Sequence, residues 1–317
     1  MAIPSQRPMC PADASGAFAR GSVRRLGPAV WDRRVARLPD HGVLLVCTDL
    51  QGNRDDYERM KDLYDREVAA GHACTLAFLG DMVHGPSPEL HEPGVWPEHL
   101  GTPYFDQSAE LILDFERYTR VESAFSVLGN HEHAHIGGPV VPKFYPDEAA
   151  VLDEALGPDR ARIHAFLRSW PLLAVGRCGV VLTHAAPRGT ERDLDAFERL
   201  EYEGFQDVPL WAMYDAGTVG ALLWARAASA HQARALLQAT SLDGAPNAFV
   251  VFGHDVVQQG YERAGDEQVC VSTSFALHNE RKTYLRLDLG RRYRSASDLR
   301  EGEEILRLYD PPHRATR

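Results

Sequence analysis

The sequence predicts an α/β fold, in which short buried strands alternate with amphipathic helices. The run VLLVC at 43–47 is apolar throughout and rich in valine, which is typical of a strand buried on both faces. Asn53 can cap a following helix and Gly71 can end it. Between them, apolar residues recur at helical spacing: Tyr57, Met60, Tyr64 and Val68. A second apolar run at 75–80 completes a β-α-β unit, which predicts a sheet with right-handed crossovers.

The rest of the chain continues the alternation of strands and helices. Apolar runs predict further strands at 124–129, 179–184, 248–254, 268–273 and 283–289. Helices are predicted between them at 105–119, 148–156, 159–168, 191–203 and 217–239. The stretch 84–103 holds several prolines and glycines, which predicts a long loop.

The two ends of the chain differ from this pattern. Residues 1–40 are rich in arginine, with Pro, Gly and Ser early, and we expect a partly flexible arm with one short helix near Val30 to Leu38. The main domain is expected to span 41–310. Residues 311–317 are expected to form a C-terminal tail.

Composition narrows the functional classes. The 317 residues are 44% hydrophobic and 25% charged, which are ordinary values for a globular protein. No run of about 18 or more apolar residues occurs, so no membrane span is predicted. The net charge of −11 repels polyanions, which disfavours nucleic acid as a partner. Five widely spaced cysteines indicate reduced core thiols, and with no secretory signal at the start of the chain they predict a cytoplasmic protein.

Polar side chains able to bind a metal follow five of the predicted strands. They are Asp49, Asp81, Asn130, His184 and His254. In an open α/β sheet, ligands bind at the carboxyl ends of the strands, so we expect these residues to meet. Carboxylate, amide oxygen and imidazole are the ligands that hard or borderline divalent ions prefer. The sequence therefore predicts a metal site at this edge of the sheet.

The ordered motifs resemble those of the calcineurin-like metallophosphoesterase superfamily. They are Asp49-x-Gln51-Gly52, Gly80-Asp81, Gly129-Asn130-His131-Glu132, His184 and Gly253-His254. The tetrad at 129–132 and the run GHDVVQQGYE at 253–262 are most similar to the phosphoprotein phosphatase (serine/threonine phosphatase) branch. The resemblance covers roughly residues 43 to 290. It implies an αββα sandwich, with two mixed β-sheets face to face and helices outside.

The resemblance also implies a mechanism that uses two divalent metal ions bridged by Asp81. The implied ligands are Asp49 and Gln51 for the first ion, and Asn130, His184 and His254 for the second. A hydroxide shared by the ions would attack phosphorus in line, and His131 would protonate the leaving group. Mn²⁺ is the expected ion, with Fe, Zn and Mg as alternatives.

Two positions depart from the family pattern. Gln51 stands where the family has a histidine, and its amide oxygen is a weaker donor that suits Mn or Mg; alternatively, it only hydrogen-bonds a metal-bound water. His84 stands where the family has an aspartate that orients the general-acid histidine. Two cationic imidazoles would repel, so we expect acid catalysis by His131 to be weakened, shared with His84, or supplied differently.

Three residues outside the motifs complete the candidate set. Arg188 and Arg226 are candidates to bind phosphate together with Asn130, because a guanidinium group can hold phosphate through two hydrogen bonds. His278 is a candidate to supply the imidazole that the first ion lacks. The ordinary alternatives are surface salt bridges for the arginines and an exposed position for His278.

The predicted function is a dimetal phosphoester hydrolase with His131, His84 and Asp81 as catalytic residues. Its expected substrate is a phosphomonoester on protein Ser or Thr, with Tyr or a small phosphoester as further options. One alternative is a nucleotide or dinucleoside polyphosphate hydrolase, which would use the same metal core. Another is a pseudo-enzyme that binds phosphorylated partners, suggested by the departures at Gln51 and His84.

Overall fold

Two mixed β-sheets, one of seven strands and one of five, form the centre of the molecule. The structure is a computed structural model and describes residues 30–31 and 33–309. The strands are β1 (Val30–Trp31), β2 (Val35–Arg37), β3 (Val43–Cys47), β4 (Cys74–Phe78), β5 (Ala124–Ser126), β6 (Leu173–Val175), β7 (Val180–Thr183), β8 (Phe249–Phe252), β9 (Tyr261–Arg263), β10 (Gln268–Val271), β11 (Thr283–Asp288) and β12 (Ile305–Arg307). The α-helices are α1 (Arg54–Ala69), α2 (Ser108–Tyr118), α3 (Asn130–His133), α4 (Glu148–Leu156), α5 (Arg160–Arg168), α6 (Leu194–Glu198), α7 (Gly217–Trp224) and α8 (Ala230–Ala239).

The strand order places β3 and β4 inside the smaller sheet and β7 and β8 inside the larger one, while β5 lies at the edge of the smaller sheet. The larger sheet has the order β1-β2-β6-β7-β8-β10-β9, and the smaller has the order β12-β11-β3-β4-β5. Strands β3, β4 and β5 run parallel to one another, as do β7, β8 and β10, and β2 pairs parallel with β6. The antiparallel pairs are β1 with β2, β6 with β7, β9 with β10, β3 with β11 and β11 with β12. This architecture confirms the predicted α/β fold and its two mixed sheets flanked by helices.

The core has two layers because side chains alternate along each strand. On β3, Leu44 and Val46 belong to the apolar layer shared by the two sheets, whereas Leu45 and Cys47 pack in the layer between sheet and helices. Tyr57 of α1 lies in that second layer. All five residues of β3 are buried, as its uniformly apolar sequence predicts.

The helices agree with the prediction where their caps are strong. The Asn53 side chain accepts a hydrogen bond from the backbone NH of Asp56 at 3.2 Å and starts α1, which ends before Gly71. The predicted helix 217–239 is wrong as a single element, because Ser229 forms a capping box that starts α8 separately. The predicted helix 191–203 is reduced to α6, which Asp193 caps.

The predicted helix near Val30 to Leu38 is wrong, because the segment forms β1 and β2. Strand β2 pairs parallel with β6, and Val35 and Ala36 are buried there. The backbone NH of Arg34 donates to a Glu198 carboxylate oxygen at 2.7 Å, which fixes the strand at its start. The sequence pattern of this segment favoured a helix, but hydrogen bonding of β2 to the β6 edge makes it a strand. The rest of the predicted arm, residues 1–29, and the predicted tail 311–317 lie outside the described residues.

The cysteines and the helices agree with the composition-based predictions where they are described. Cys47, Cys74, Cys178 and Cys270 are free and buried, as predicted for core thiols, while Cys10 lies outside the described residues. Within residues 33–309, no helix combines the length and the apolar character that crossing a membrane requires.

Candidate metal centre and active site

The ends of the central strands from both sheets meet at one cavity. Asp49 and Gln51 follow β3, and Asp81 follows β4. Asn130 starts α3 directly after β5, and His254 follows β8. The charged and polar residues that line the cavity include Asp49, Gln51, Asp81, Asn130, His131, Lys143, Arg226 and His254. The predicted convergence of strand ends is therefore present in the fold.

Several residues of the site have a left-handed backbone conformation that residues other than glycine rarely adopt. Positive φ angles occur at Asp49 (52°), Gln51 (47°), Asp81 (52°), His84 (70°) and His254 (65°). Each costs on the order of 1–3 kcal/mol and persists only where the surrounding structure enforces it. Such clustering of strained residues is typical of active sites.

The donor atoms around His184 suit a cation. Its Nδ1 lies 2.6 Å from the carbonyl oxygen of Leu79, which can only accept a hydrogen bond, so the proton is on Nδ1 and Nε2 presents a lone pair. Nε2 lies 2.9 Å from Asn130 Oδ1, 3.1 Å from His254 Nδ1 and 3.5 Å from Asp81 Oδ1. The lone pair on His184 Nε2 faces the acceptor oxygens of Asn130 and Asp81, and a positive charge between them would remove their repulsion. The set of two imidazoles, a carboxylate and an amide oxygen fits a divalent transition-metal ion.

Asp81 connects this pocket to the rest of the site. Its Oδ1 accepts a hydrogen bond from the backbone NH of His131 at 3.1 Å, and its Oδ2 accepts one from Gln51 Nε2 at 3.2 Å. Burial opposes ionisation of Asp81, but the neighbouring histidines outweigh it and lower its pKa below the usual range. Withdrawal from water and the charge of Asp81 raise the pKa of Asp49 to about 6. The crowding of these two carboxylates also favours a bound cation.

Glu132 holds the backbone that presents Asp81. Its carboxylate accepts hydrogen bonds from the NH groups of Asp81 (2.9 Å), Met82 (2.7 Å) and Gly129 (3.2 Å). Glu132 is fully buried. Glu132 therefore fixes the two loops against each other.

We expect Gly80→Ala to disrupt the site. Gly80 has φ of 83°, and an added Cβ would lie 2.6 Å from backbone atoms of Gly129 and 2.9 Å from His184 Nδ1. The free energy of unfolding should fall by more than about 2 kcal/mol, since strain and overpacking add. Chemical denaturation and Mn²⁺ titration calorimetry measure both effects. Gly71→Ala is the matched control, because Gly71 has φ of 88° and open space around the added Cβ. Equal losses for the two variants would contradict the steric argument.

His131 lies next to a buried carboxylate that the sequence analysis missed. Its Nδ1 is 3.1 Å from Glu148 Oε2 and 3.0 Å from His84 Nδ1, while His84 Nδ1 is 3.5 Å from the same carboxylate oxygen. All three residues are buried. Glu148 is the first residue of α4, where an acidic residue ordinarily signals only a favourable interaction with the helix dipole. Nothing in the sequence marks it as a partner of His131.

The charges in this cluster differ from those expected from sequence. Burial lowers the pKa of His84 to about 3, so this ring is neutral near pH 7. Burial opposes ionisation of Glu148, but the nearby imidazoles of His131 and His84 outweigh it and lower its pKa to about 2. No repulsion between two cationic rings therefore arises. Of the outcomes considered for acid catalysis, the geometry favours a carboxylate supplied from elsewhere in the chain.

His84 also continues the network away from the cavity. Its Nε2 lies 2.9 Å from His135 Nε2, and His135 Nδ1 lies 2.9 Å from Asp153 Oδ1. His164 Nε2 is 2.7 Å from the same carboxylate oxygen. His84 therefore lies between His131 and a second, partly exposed His–Asp–His group. His84 therefore connects the two groups through one hydrogen-bond contact on each of its ring nitrogens.

The remaining candidates are not all in the cavity. Arg226 lines it and forms an ion pair with Asp255 at 2.7 Å. Arg188 does not line it and instead pairs with Asp215 at 3.0 Å. His278 is exposed and does not line it. The structure thus brings Arg226 to the metal-binding residues and leaves Arg188 and His278 outside.

Lys143 is the second residue that the sequence analysis missed. It lines the cavity, and its Nζ donates a hydrogen bond to Gln51 Oε1 at 3.0 Å. It lies in an irregular segment between α3 and α4, outside every motif. No spacing rule connects such a residue to the site.

Comparisons with known proteins agree with this picture. A sequence model described as calcineurin-like phosphoesterase matches residues 42–258, more than half of the chain. A search of curated proteins finds no match.

Several solved structures are similar to the chain. A serine/threonine phosphatase from Saccharomyces cerevisiae has 16% identity and a TM-score of 0.47, with 92% of this chain and 87% of that chain covered. A cold-active protein-tyrosine phosphatase from a psychrophilic Shewanella has 13% identity and a TM-score of 0.49, with 83% and 79% covered. A metallophosphoesterase from Sphaerobacter thermophilus has 15% identity and a TM-score of 0.37, with 78% and 83% covered.

The segment matched by the family model includes the strand ends that carry the candidate metal ligands, from Asp49 to His254. The candidate metal ligands and the histidine beside them lie within it. This chain belongs to the calcineurin-like phosphoesterase family.

Proposed function

We propose that this protein is a metal-dependent phosphomonoesterase that acts on phosphorylated protein side chains, Ser or Thr first and Tyr second. The observation that carries the proposal is the convergence of Asp81, Asn130 and His254 around the buried His184, at the wall of a cavity that His131 also lines. A cation site and a general acid at one cavity are what hydrolysis of a phosphoester needs. Mn²⁺ is the ion we propose, given the mixture of oxygen and nitrogen ligands.

A divalent ion held by Asp81, Asn130, His184 and His254 would supply positive charge for the phosphoryl oxygens and would lower the pKa of water. The protein's own residues do the rest. Asp81 orients the site, since its oxygens bind the His131 backbone and the Gln51 side chain. Arg226 and Lys143 line the cavity and offer cationic donors to a phosphoryl group.

His131 is placed to protonate the leaving group. Its Nε2 faces the metal side and lies 3.8 Å from Asp81 Oδ2, while its Nδ1 faces Glu148. Both ring nitrogens carry protons in an imidazolium, so the buried Glu148 carboxylate can pair with the charged ring while Nε2 donates its proton. Asp81, His131 and Glu148 thus form the proposed catalytic and positioning set.

The choice of a monoester over a diester follows from charge. Lys143 and Arg226 line the cavity beside the metal ligands, and a monoester brings two negative charges where a diester brings one. The same cations would also attract a nucleotide polyphosphate. Substrate comparison therefore distinguishes these options.

Turnover of four substrates by the full-length protein with added Mn²⁺ tests the proposal. They are p-nitrophenyl phosphate, bis(p-nitrophenyl) phosphate, a phosphoseryl peptide and diadenosine tetraphosphate. We expect hydrolysis of the monoester and the peptide to exceed that of the other two. Faster cleavage of the diester or the dinucleotide would replace the proposed substrate class. Binding of the phosphopeptide without turnover of any substrate would indicate a pseudo-enzyme.

A further inference from the structure

The Gln51 side chain turns its amide nitrogen, and not its amide oxygen, toward Asp81, which is the orientation opposite to that of a metal ligand. Its Nε2 donates to Asp81 Oδ2 at 3.2 Å, whereas its Oε1 accepts a hydrogen bond from Lys143 Nζ at 3.0 Å. An amide nitrogen has no lone pair to offer an ion, and the oxygen that has one is occupied by an ammonium group. The Asp49 side of the cavity therefore lacks the amide-oxygen ligand that the resemblance assigns to the first ion.

An aromatic ring fixes the ammonium group of Lys143 at this position. Nζ lies 3.6 Å from the centre of the Phe275 ring, which is cation–π distance. The backbone NH of Phe275 donates to the carbonyl oxygen of Asp49 at 3.0 Å. Lys143, Phe275 and the Asp49 loop are thus tied together, and the lysine is held in place by contacts on two sides.

The carboxylates of the site lie on the same side as this ammonium group. Lys143 is exposed on its outer side, while its ammonium group lies against the cavity. Partial withdrawal of that group from water lowers the pKa of Lys143, and the charges of Asp81 and Asp49 act in the opposite direction. Asp81, His184 and His254 lie close enough together to share one ion, and among the described residues Asp49 is in no such group of three His, Cys or carboxylate side chains. On the Asp49 side of the cavity, the Lys143 ammonium group supplies positive charge.

We propose that Lys143 takes the place of a second metal ion, so that the cavity binds one divalent cation and uses the ammonium group as its other positive charge. The cation ligands are Asp81, Asn130, His184 and His254. A dianionic phosphoryl group would then bind between the ion and Lys143 Nζ. This inference rests on the proposed function, and it revises the two-ion expectation that came from sequence resemblance.

Metal stoichiometry tests the inference without any activity measurement. Full-length protein is stripped with a chelator, titrated with Mn²⁺ by calorimetry and examined by electron paramagnetic resonance. We expect one Mn²⁺ per chain and the spectrum of isolated ions. The double variant Gln51→His, Lys143→Met should bind a second Mn²⁺ and give an exchange-coupled spectrum, because it gains an imidazole and loses the ammonium group.

The chain offers a matched control in Lys61, one of its three lysines. Lys61 pairs with Glu58 and Asp114 and does not line the cavity, so Lys61→Met should leave one Mn²⁺ per chain. In a second measurement, Lys143→Met should weaken binding of inorganic phosphate to the Mn²⁺-loaded protein roughly 10- to 100-fold, as expected for a lost charged hydrogen bond. Lys143→Arg keeps a cation and should retain most of that affinity.

The outcomes separate this inference from the proposed function. Two Mn²⁺ per chain in the unaltered protein, or an exchange-coupled spectrum, would overturn the role of Lys143 and leave the phosphoesterase function standing. A folded double variant that still binds one Mn²⁺ would overturn it as well. No Mn²⁺ binding by the unaltered protein would overturn both proposals.

Discussion

Replacing Asp81 by asparagine should lower kcat/KM for p-nitrophenyl phosphate by at least about 10³-fold, more than the 10- to 100-fold typical of losing an outer partner of a metal site. The carboxylate lies 3.5 Å from His184 Nε2 through Oδ1 and accepts a hydrogen bond from Gln51 through Oδ2, so it links the two sides of the site. Asparagine keeps the size and one acceptor oxygen. The backbone hydrogen bond from His131 can therefore persist, and the fold should be retained.

Two measurements test the Asp81→Asn variant. Steady-state kinetics at saturating Mn²⁺ gives the loss of transition-state stabilisation, and calorimetry gives the loss of Mn²⁺ affinity. Asp62→Asn is the matched control, since Asp62 is exposed on α1 and away from the cavity. Turnover and Mn²⁺ binding by Asp81→Asn at the level of Asp62→Asn would refute the central position given to Asp81.

The positions of the metal ligands could be predicted because they depend on local pattern. Apolar runs locate β3, β4, β5, β7 and β8, and the polar residue that follows each run is fixed by its place in the chain. Parallel strands bring their carboxyl ends to the same edge, so the order of motifs already contains the convergence. The residues that converge at the cavity wall could therefore be named from the sequence, and their role as metal ligands is the proposal made above.

The residues around those ligands could not be predicted, because their contacts depend on tertiary packing. Lys143 lies between α3 and α4 and Glu148 is the first residue of α4, and no sequence pattern directs either residue to the site. The neutral state of His84 depends on its burial, which sequence cannot supply. The strands β1 and β2 likewise exist only because the edge of the larger sheet is available for pairing. In each case, long-range packing decided the outcome.

Substitution of Glu148 tests how far such a distant residue has taken over the role of the missing aspartate. The carboxylate lies 3.1 Å from His131 Nδ1 and touches no residue proposed to bind metal. We therefore expect Glu148→Gln to lower kcat without changing the Mn²⁺ stoichiometry. The loss should be on the order of 10- to 100-fold for phenyl phosphate, whose leaving group needs a proton, and smaller for p-nitrophenyl phosphate, whose leaving group does not.

This dependence on the leaving group separates positioning of the acid from a structural role. Glu154→Gln is the matched control, because Glu154 is exposed on the same helix α4. A general defect in folding or metal binding would slow both substrates equally, since neither step depends on the leaving group. Equal losses for phenyl phosphate and p-nitrophenyl phosphate would therefore remove Glu148 from acid catalysis and leave it as a buried partner of two histidines. A selective loss would show that α4 supplies the carboxylate whose usual position is occupied by His84.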